Sequence, residues 1–143
     1  MERESAKIIL PSVLPLPTEV QQLGDVLATV PDLELAILIG SHATGTARPD
    51  SDWDIAIQWT RGMGFLEQLA ATEKLRKELS EIFGRPEQAV DLIDLPTARL
   101  AMRAVVAEEG FPLKGADSLA WNHLLQQTWR ELEEHYWEKI YAT

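Results

Sequence analysis

The stretch Gly40-Ser-His-Ala-Thr-Gly-Thr-Ala-Arg-Pro-Asp-Ser-Asp-Trp-Asp-Ile-Ala-Ile57 decides how the chain is read. Before it runs Leu33 to Ile39, LELAILI, a short apolar run of the kind that forms a buried strand. Gly40-Ser41 ends that strand in a turn where the backbone can approach a ligand closely. Asp52 and Asp54 then open a second apolar run, DWDIAIQW. On a strand, residues two apart share a face, so the two carboxylates converge on one side while Trp53, Ile55, Ile57 and Trp59 cover the other. Two adjacent carboxylates repel unless a cation sits between them. A hard divalent ion is the natural guest, since Mg²⁺ takes oxygen ligands and is often held by one or two carboxylates plus substrate phosphates. A DxD pair alone is more often a solvated strand end, and it is the glycine-serine turn before it that points to a site. Gly40 and Gly45 have the glycine spacing of a P-loop, but Thr46 and Ala47 stand where that loop needs Lys and Ser or Thr.

Working outward, Pro11, Pro15 and Pro17 keep residues 1–17 irregular or extended, as a strap across the core or a partner-binding arm. Thr18 with Gln21 reads as a capping box, opening a helix to about Thr29 with Val20, Leu23, Val26, Leu27 and Val30 turned inward. After the second strand, a long helix is expected from Phe65 to Phe83. Its apolar positions are Phe65, Leu66, Leu69, Leu75, Leu79 and Ile82, and Gly84 and Pro86 stop it. QAVDLIDL then reads as a third strand in which Asp91 interrupts an apolar run. A charge within a buried strand needs a partner, and a strand laid beside the second would offer Asp91 to the same cations. Asp94 is the rival, but Pro96 follows it closely and places it at the strand end or as a cap. A further helix is expected over Thr97 to Glu109, a short extended piece over Phe111 to Lys114, and a long amphipathic helix over 117–141. Trp121, Leu125, Trp129, Leu132, Tyr136 and Ile140 form its stripe. That stripe suits either the core or a partner, since Trp and Tyr are enriched at interfaces.

Gly40-Ser41, ten residues, then Asp52-Trp53-Asp54 resembles the signature of the DNA polymerase beta-type nucleotidyltransferase superfamily, and the short chain with its TARPDSDWDIAI phrasing resembles the minimal, MNT-domain branch. Members of that branch are often antitoxins paired with HEPN-domain toxins. Thr44 stands where the family often has an arginine before the second glycine. The resemblance implies an α+β fold, a small mixed sheet with helices packed mainly on one face. It also implies two-metal nucleotidyl transfer, with two Mg²⁺ ions held by Asp52, Asp54 and Asp91 and ATP as substrate. Gly40 and Ser41 would cradle phosphates, and Arg48 and Lys114 are further candidates for phosphate or partner contacts. The implied acceptor is a tyrosine of a partner HEPN toxin. The alternatives are a small molecule such as an aminoglycoside, or masking of the toxin by binding without catalysis.

The 143 residues suffice for one domain, 1–143, with a sizeable core. The absence of cysteine excludes disulfides and thiolate zinc sites, and no apolar run is long enough to span a bilayer, which fits a cytoplasmic protein. A net charge of −10 argues against direct nucleic-acid binding and suits a metal-bound nucleotide or a basic protein partner.

Overall fold

The computed structural model describes residues 18–142, and the expected strap over residues 1–17 lies outside them. Helix α1, Thr18–Ala28, buries Val20, Leu23 and Leu27, spaced three and four apart as one helical face requires. Strand β1, Leu33–Ile39, follows the left-handed turn at Asp32 and is buried along almost its whole length. A single helical turn, α2, Ser41–Thr44, leads into the loop before β2, Trp53–Trp59. Helix α3, Phe65–Phe83, is followed by a 3₁₀ turn at Glu87–Ala89 and by β3, Val90–Asp94. A second 3₁₀ turn, Leu95–Thr97, precedes α4, Leu100–Glu109, then β4, Phe111–Lys114, and α5, Leu119–Ala142.

The four strands form one mixed sheet in the order β3-β2-β1-β4. β1 pairs antiparallel with β2 and β4, whereas β2 and β3 run parallel. The extended piece expected at Phe111 to Lys114 is thus an edge strand. The larger core lies on the face covered by α1 and α3, where Trp53, Ile55, Ile57 and Trp59 meet Leu23, Leu27, Leu75, Leu79 and Phe83. This is the helical layer expected of the mixed α+β class. A smaller core on the opposite face joins Leu35, Ile37, Ile39 and Ala56 to Leu95, Val106 of α4 and Leu124 of α5. β1 sends Ala36 and Leu38 to the larger core and Leu35, Ile37 and Ile39 to the smaller one, which is why Leu35 to Ile39 reads as an unbroken hydrophobic run.

Three boundaries and the face of α3 differ from expectation, and the α5 stripe, left open between core and partner, is partly buried only as far as Leu132. The helix expected from Thr97 starts at Leu100, because the Thr97 hydroxyl donates to the Asp94 carboxylate at 2.9 Å within the 3₁₀ turn that buries Leu95. The last helix starts at Leu119 rather than 117, because Ser118 Oγ accepts the Trp121 amide at 3.1 Å and so caps it. Helix α1 already includes Thr18, and the residues before it lie outside the described ones. In α3 only the C-terminal half obeys the expected inward face: Leu79 is 0% exposed, while Phe65 and Leu66 are 74% and 77% exposed. In α5 the buried line runs through Leu124 and Thr128, and Trp129 and Tyr136 of the expected stripe are exposed.

This asymmetry along α3 is measurable. Leu79→Ala opens a cavity in the larger core and is expected to lower stability by about 2–4 kcal/mol, whereas Leu66→Ala stays within about 0.5 kcal/mol of wild type. Urea unfolding of the two variants checks it; equal losses would mean that the first turns of α3 are packed in solution.

Candidate active site

The site is built at one end of the sheet, where β1 finishes and β2 and β3 begin. Ile39, the last residue of β1, is paired with Asp54. Asp54 is in turn the parallel partner of Asp91 in β3. The register therefore sets these two carboxylates side by side on one face, while their neighbours Trp53, Val90 and Leu92 enter the larger core on the other. Asp52, two residues before Asp54, is exposed just ahead of β2.

Gly40 is the tightest point. Its φ is +78°, a conformation L side chains rarely adopt, and a Cβ built there would lie 2.4 Å from Asp54 Oδ2. The glycine is required twice over, once by the turn and once by the carboxylate against it. Beyond it, α2 places Ser41 at the mouth of the site, half-buried. Arg48 is exposed on the loop leading to Asp52. Its amide donates to Ser51 Oγ at 2.8 Å and its carbonyl accepts the Ser51 amide at 2.9 Å, closing a tight turn. Lys114 is drawn elsewhere: its ammonium donates to the Val30 carbonyl at 2.8 Å and ties β4 to the end of α1. In the structure it serves as a contact between these two elements, towards the end of the sheet where β1 begins.

Two features of the site escaped the sequence reading. Arg85, just past the left-handed cap of α3, donates to the carbonyls of Ser51 at 2.8 Å, Asp50 at 3.2 Å and Pro49 at 3.5 Å. One guanidinium thus gathers three carbonyls of the loop that carries Asp52. His42 stacks on Trp53 at 3.6 Å between ring centroids, and Trp53 stacks on Phe83 at 4.0 Å. His42 Nε2 also lies 3.3 Å from the Ser51 carbonyl oxygen, a hydrogen bond in the Nε2-protonated tautomer. These contacts span large sequence separations, and no local pattern signals them.

Burial holds the Asp54 carboxyl above its ordinary value; the charges of Asp91 and Asp52 push it further the same way, and His42 pulls it down. Burial is the larger cause, and the neighbouring carboxylates add to it. Among the described residues no three acidic or histidine side chains close into a cage that could hold an ion unaided. The three aspartates instead offer an open, all-oxygen donor set, which fits a hard cation that completes its shell with phosphate oxygens and water. A cleft of about 540 Å³ adjoins them, lined by Asp52, Glu73, Arg76, Glu87, Gln88, Val90 and Asp91. Arg76 is fixed there by its bond to the Val90 carbonyl at 2.6 Å. A larger cavity of about 730 Å³ lies at the other end of β2, among Gln58, Arg61, Arg103 and His123, and none of the three aspartates lines it. Asp52 and Asp91 line the smaller cleft, and Asp54 lies beside Asp91 in the sheet.

A family model for polymerase beta nucleotidyltransferases matches residues 21–118. The chain belongs to that family. The match runs from α1 to the loop before α5 and includes every element that positions the aspartates. Among solved structures, a toxin–antitoxin complex with AMP-PNP aligns at a TM-score of 0.64 with 24% identity, over 88% of this chain and 94% of that one. The MntA–HepT toxin–antitoxin aligns at 0.58 with 21% identity, over 87% and 92%. A complex of tri-AMPylated Shewanella oneidensis HEPN toxin with MNT antitoxin aligns at 0.58 with 21% identity, over 86% and 93%. At these identities the likeness establishes the fold. Nothing among curated proteins matches the chain.

The raised Asp54 carboxyl has a sign that can be checked. A carboxyl that binds its proton more tightly folded than unfolded favours folding below its unfolded value and loses that contribution as pH rises through the folded value. Asp54→Asn removes the penalty, so in metal-free buffer the variant should melt at or above wild type at pH 7, with the gap narrowing as pH falls towards 3.8. A variant that melts below wild type at pH 7 would contradict the crowding. Arg85→Ala is expected to loosen the Asp52 loop and lower activity about 10-fold or more, with little change in melting temperature. Limited proteolysis within residues 48–52 is the independent readout.

Proposed function

We propose that this nucleotidyltransferase is an antitoxin that transfers AMP from ATP to a tyrosine hydroxyl of a partner HEPN toxin. The observation that carries the reading is the Asp54–Asp91 register pair set against the Gly40-Ser41 turn, a carboxylate cluster beside a backbone cradle. The solved folds it resembles, including a toxin–antitoxin complex holding AMP-PNP and one holding an AMPylated HEPN toxin, support the choice of nucleotide and acceptor.

In this reading Gly40 and Ser41 hold the triphosphate through backbone N–H groups and the serine hydroxyl. Arg48, exposed on the neighbouring loop, would meet phosphate charge. Asp52 and Asp54 face the phosphates, and Asp91 stands on the adjacent strand where the acceptor enters. Two Mg²⁺ ions, when bound by these three aspartates, supply the positive charge that steadies the attacking and leaving oxygens. The tyrosine oxygen attacks the α-phosphorus, the bond from that phosphorus to the α,β-bridging oxygen breaks, and pyrophosphate leaves. Asp91 accepts the phenolic proton directly or through water. The net product is one tyrosine–AMP phosphodiester per turnover. The cleft's carboxylates, Asp52, Glu73, Glu87 and Asp91, favour one runner-up, a cationic small acceptor such as an aminoglycoside.

The test is to incubate the chain with ATP, Mg²⁺ and the HEPN-domain protein of the same organism and to weigh that protein intact. Substoichiometric enzyme should add one or more AMP units, and Asp52→Asn, Asp54→Asn and Asp91→Asn should each cut the rate by at least about 10³-fold. Inhibition of the toxin at equal stoichiometry with no mass shift would replace catalysis by masking. Adenylation of an aminoglycoside with none of the toxin would favour the small-molecule reading.

A further inference from the structure

Helix α5 carries an aromatic surface that is largely exposed among the described residues. Its first half is anchored: Leu124 is buried in the smaller core, and Arg103 of α4 donates to Glu131 at 2.8 Å. Past Leu132 every described side chain is exposed. Trp129 is 44%, Tyr136 60%, Trp137 47% and Tyr141 79% exposed. These four fall at helical spacing along one side of the helix, over about 18 Å at 1.5 Å per residue. The rings are already organised against one another: Tyr136 meets Trp137 edge-on at 5.7 Å, and Trp137 stacks with Tyr141 at 5.7 Å. A preordered aromatic group loses little further freedom on being covered, which is what makes such residues effective interface anchors.

The charges beside the rings select the occupant. Glu133 lies three residues before Tyr136, Glu134 three before Trp137 and Glu138 three before Tyr141, so each is a neighbour of a ring on the helix surface; Lys139, three after Tyr136, is the one basic neighbour at that spacing, and the acidic groups outnumber it. A second copy of this chain would bring two acidic patches together, on molecules each carrying a net charge of −10. A cationic partner meets them favourably. Phe65, Leu66 and Leu69, also exposed, lie at the start of α3 and carry no such cluster of glutamates around stacked rings.

We propose that the face of α5 formed by Trp129, Tyr136, Trp137 and Tyr141, rimmed by Glu133, Glu134 and Glu138, is the docking surface for a protein partner with a basic, apolar-centred face. The partner is the acceptor of the proposed transfer, so the inference rests on that reading for the identity of its probe. The aromatic rings supply the affinity, and the glutamates orient and accelerate the encounter.

The experiment measures binding of the HEPN-domain protein of the same organism by calorimetry and stopped flow, alongside the mass assay. Trp137→Ala should weaken binding about 30-fold and Trp137→Ala with Tyr141→Ala about 100-fold or more, raising KM for the toxin at unchanged kcat. Both sites are exposed, so melting temperatures should match wild type. Glu133→Lys with Glu134→Lys should slow association and flatten its salt dependence. Asp54→Asn should bind as wild type does. Loss of binding in the aromatic variants with no AMP transfer by wild type keeps the docking surface and ends the transferase reading. AMP transfer with unchanged binding in the aromatic variants overturns the docking surface and leaves the transferase intact. A wild-type dimer in sedimentation that Trp137→Glu dissolves would assign the face to a second copy, and absence of any binding by wild type would end both readings.

Discussion

Carboxylates repel, and burial penalises their charged forms, so three of them share one end of a sheet only if stronger forces hold them there. Here the force is the apolar alternation of the strands. Trp53, Ile55 and Ile57 enter the larger core, and the residues between them must face the other way. Asp54 is therefore held outward by its neighbours' burial and opposite Asp91 by the parallel register. A one-residue slip of β2 would drive Asp54 into the core and expel Ile55, a change the fold cannot absorb. The packing of the domain and the geometry of the site are the same constraint.

The surroundings of Trp53 reinforce it. That residue sits between the two aspartates of the DWD triplet and points away from both, stacked between His42 and Phe83. It links α2, β2 and the end of α3, which carry His42 and Asp54 and lead into Arg85. The Arg85 clamp then fixes the loop carbonyls just upstream of Asp52. Gly40 completes the arrangement from the β1 side by leaving room for Asp54. A positive φ and a missing side chain are local requirements, which explains why this part of the site shows in the sequence as a glycine.

That difference between local and distant determinants also marks how far the sequence could be read. The strands, the glycine turn and the Asp54–Asp91 relation were legible because alternation and turn chemistry act over a few residues. The face assigned to Asp91 follows from Val90 and Leu92 alone. Arg85 was not legible, since its partners are 34 to 36 positions away and an arginine after a helix cap has no special pattern. Lys114 was misplaced for the same reason, because its Val30 acceptor is 84 residues distant. The starts of α4 and α5 moved by two or three residues because the Thr97 and Ser118 hydroxyls chose local partners that the apolar period does not record.

Periodicity also fails to say what covers a face. Phe65, Leu66 and Leu69 repeat as core residues do, as do Trp129 and Tyr136, yet all are exposed. Length explains why. A seven-residue strand such as β2 spans about 23 Å at 3.3 Å per residue, whereas the 24 residues of α5 span about 36 Å. A helix that much longer than the sheet beneath it cannot bury both ends against it. The anchored end follows the strands, through Leu124 and the Arg103–Glu131 pair, and the remaining turns overhang. An amphipathic pattern continued past the end of the sheet cannot be explained by the fold that it extends beyond. The rings of Trp129, Tyr136, Trp137 and Tyr141 stay exposed there, and the glutamates interleaved with them narrow what can cover them.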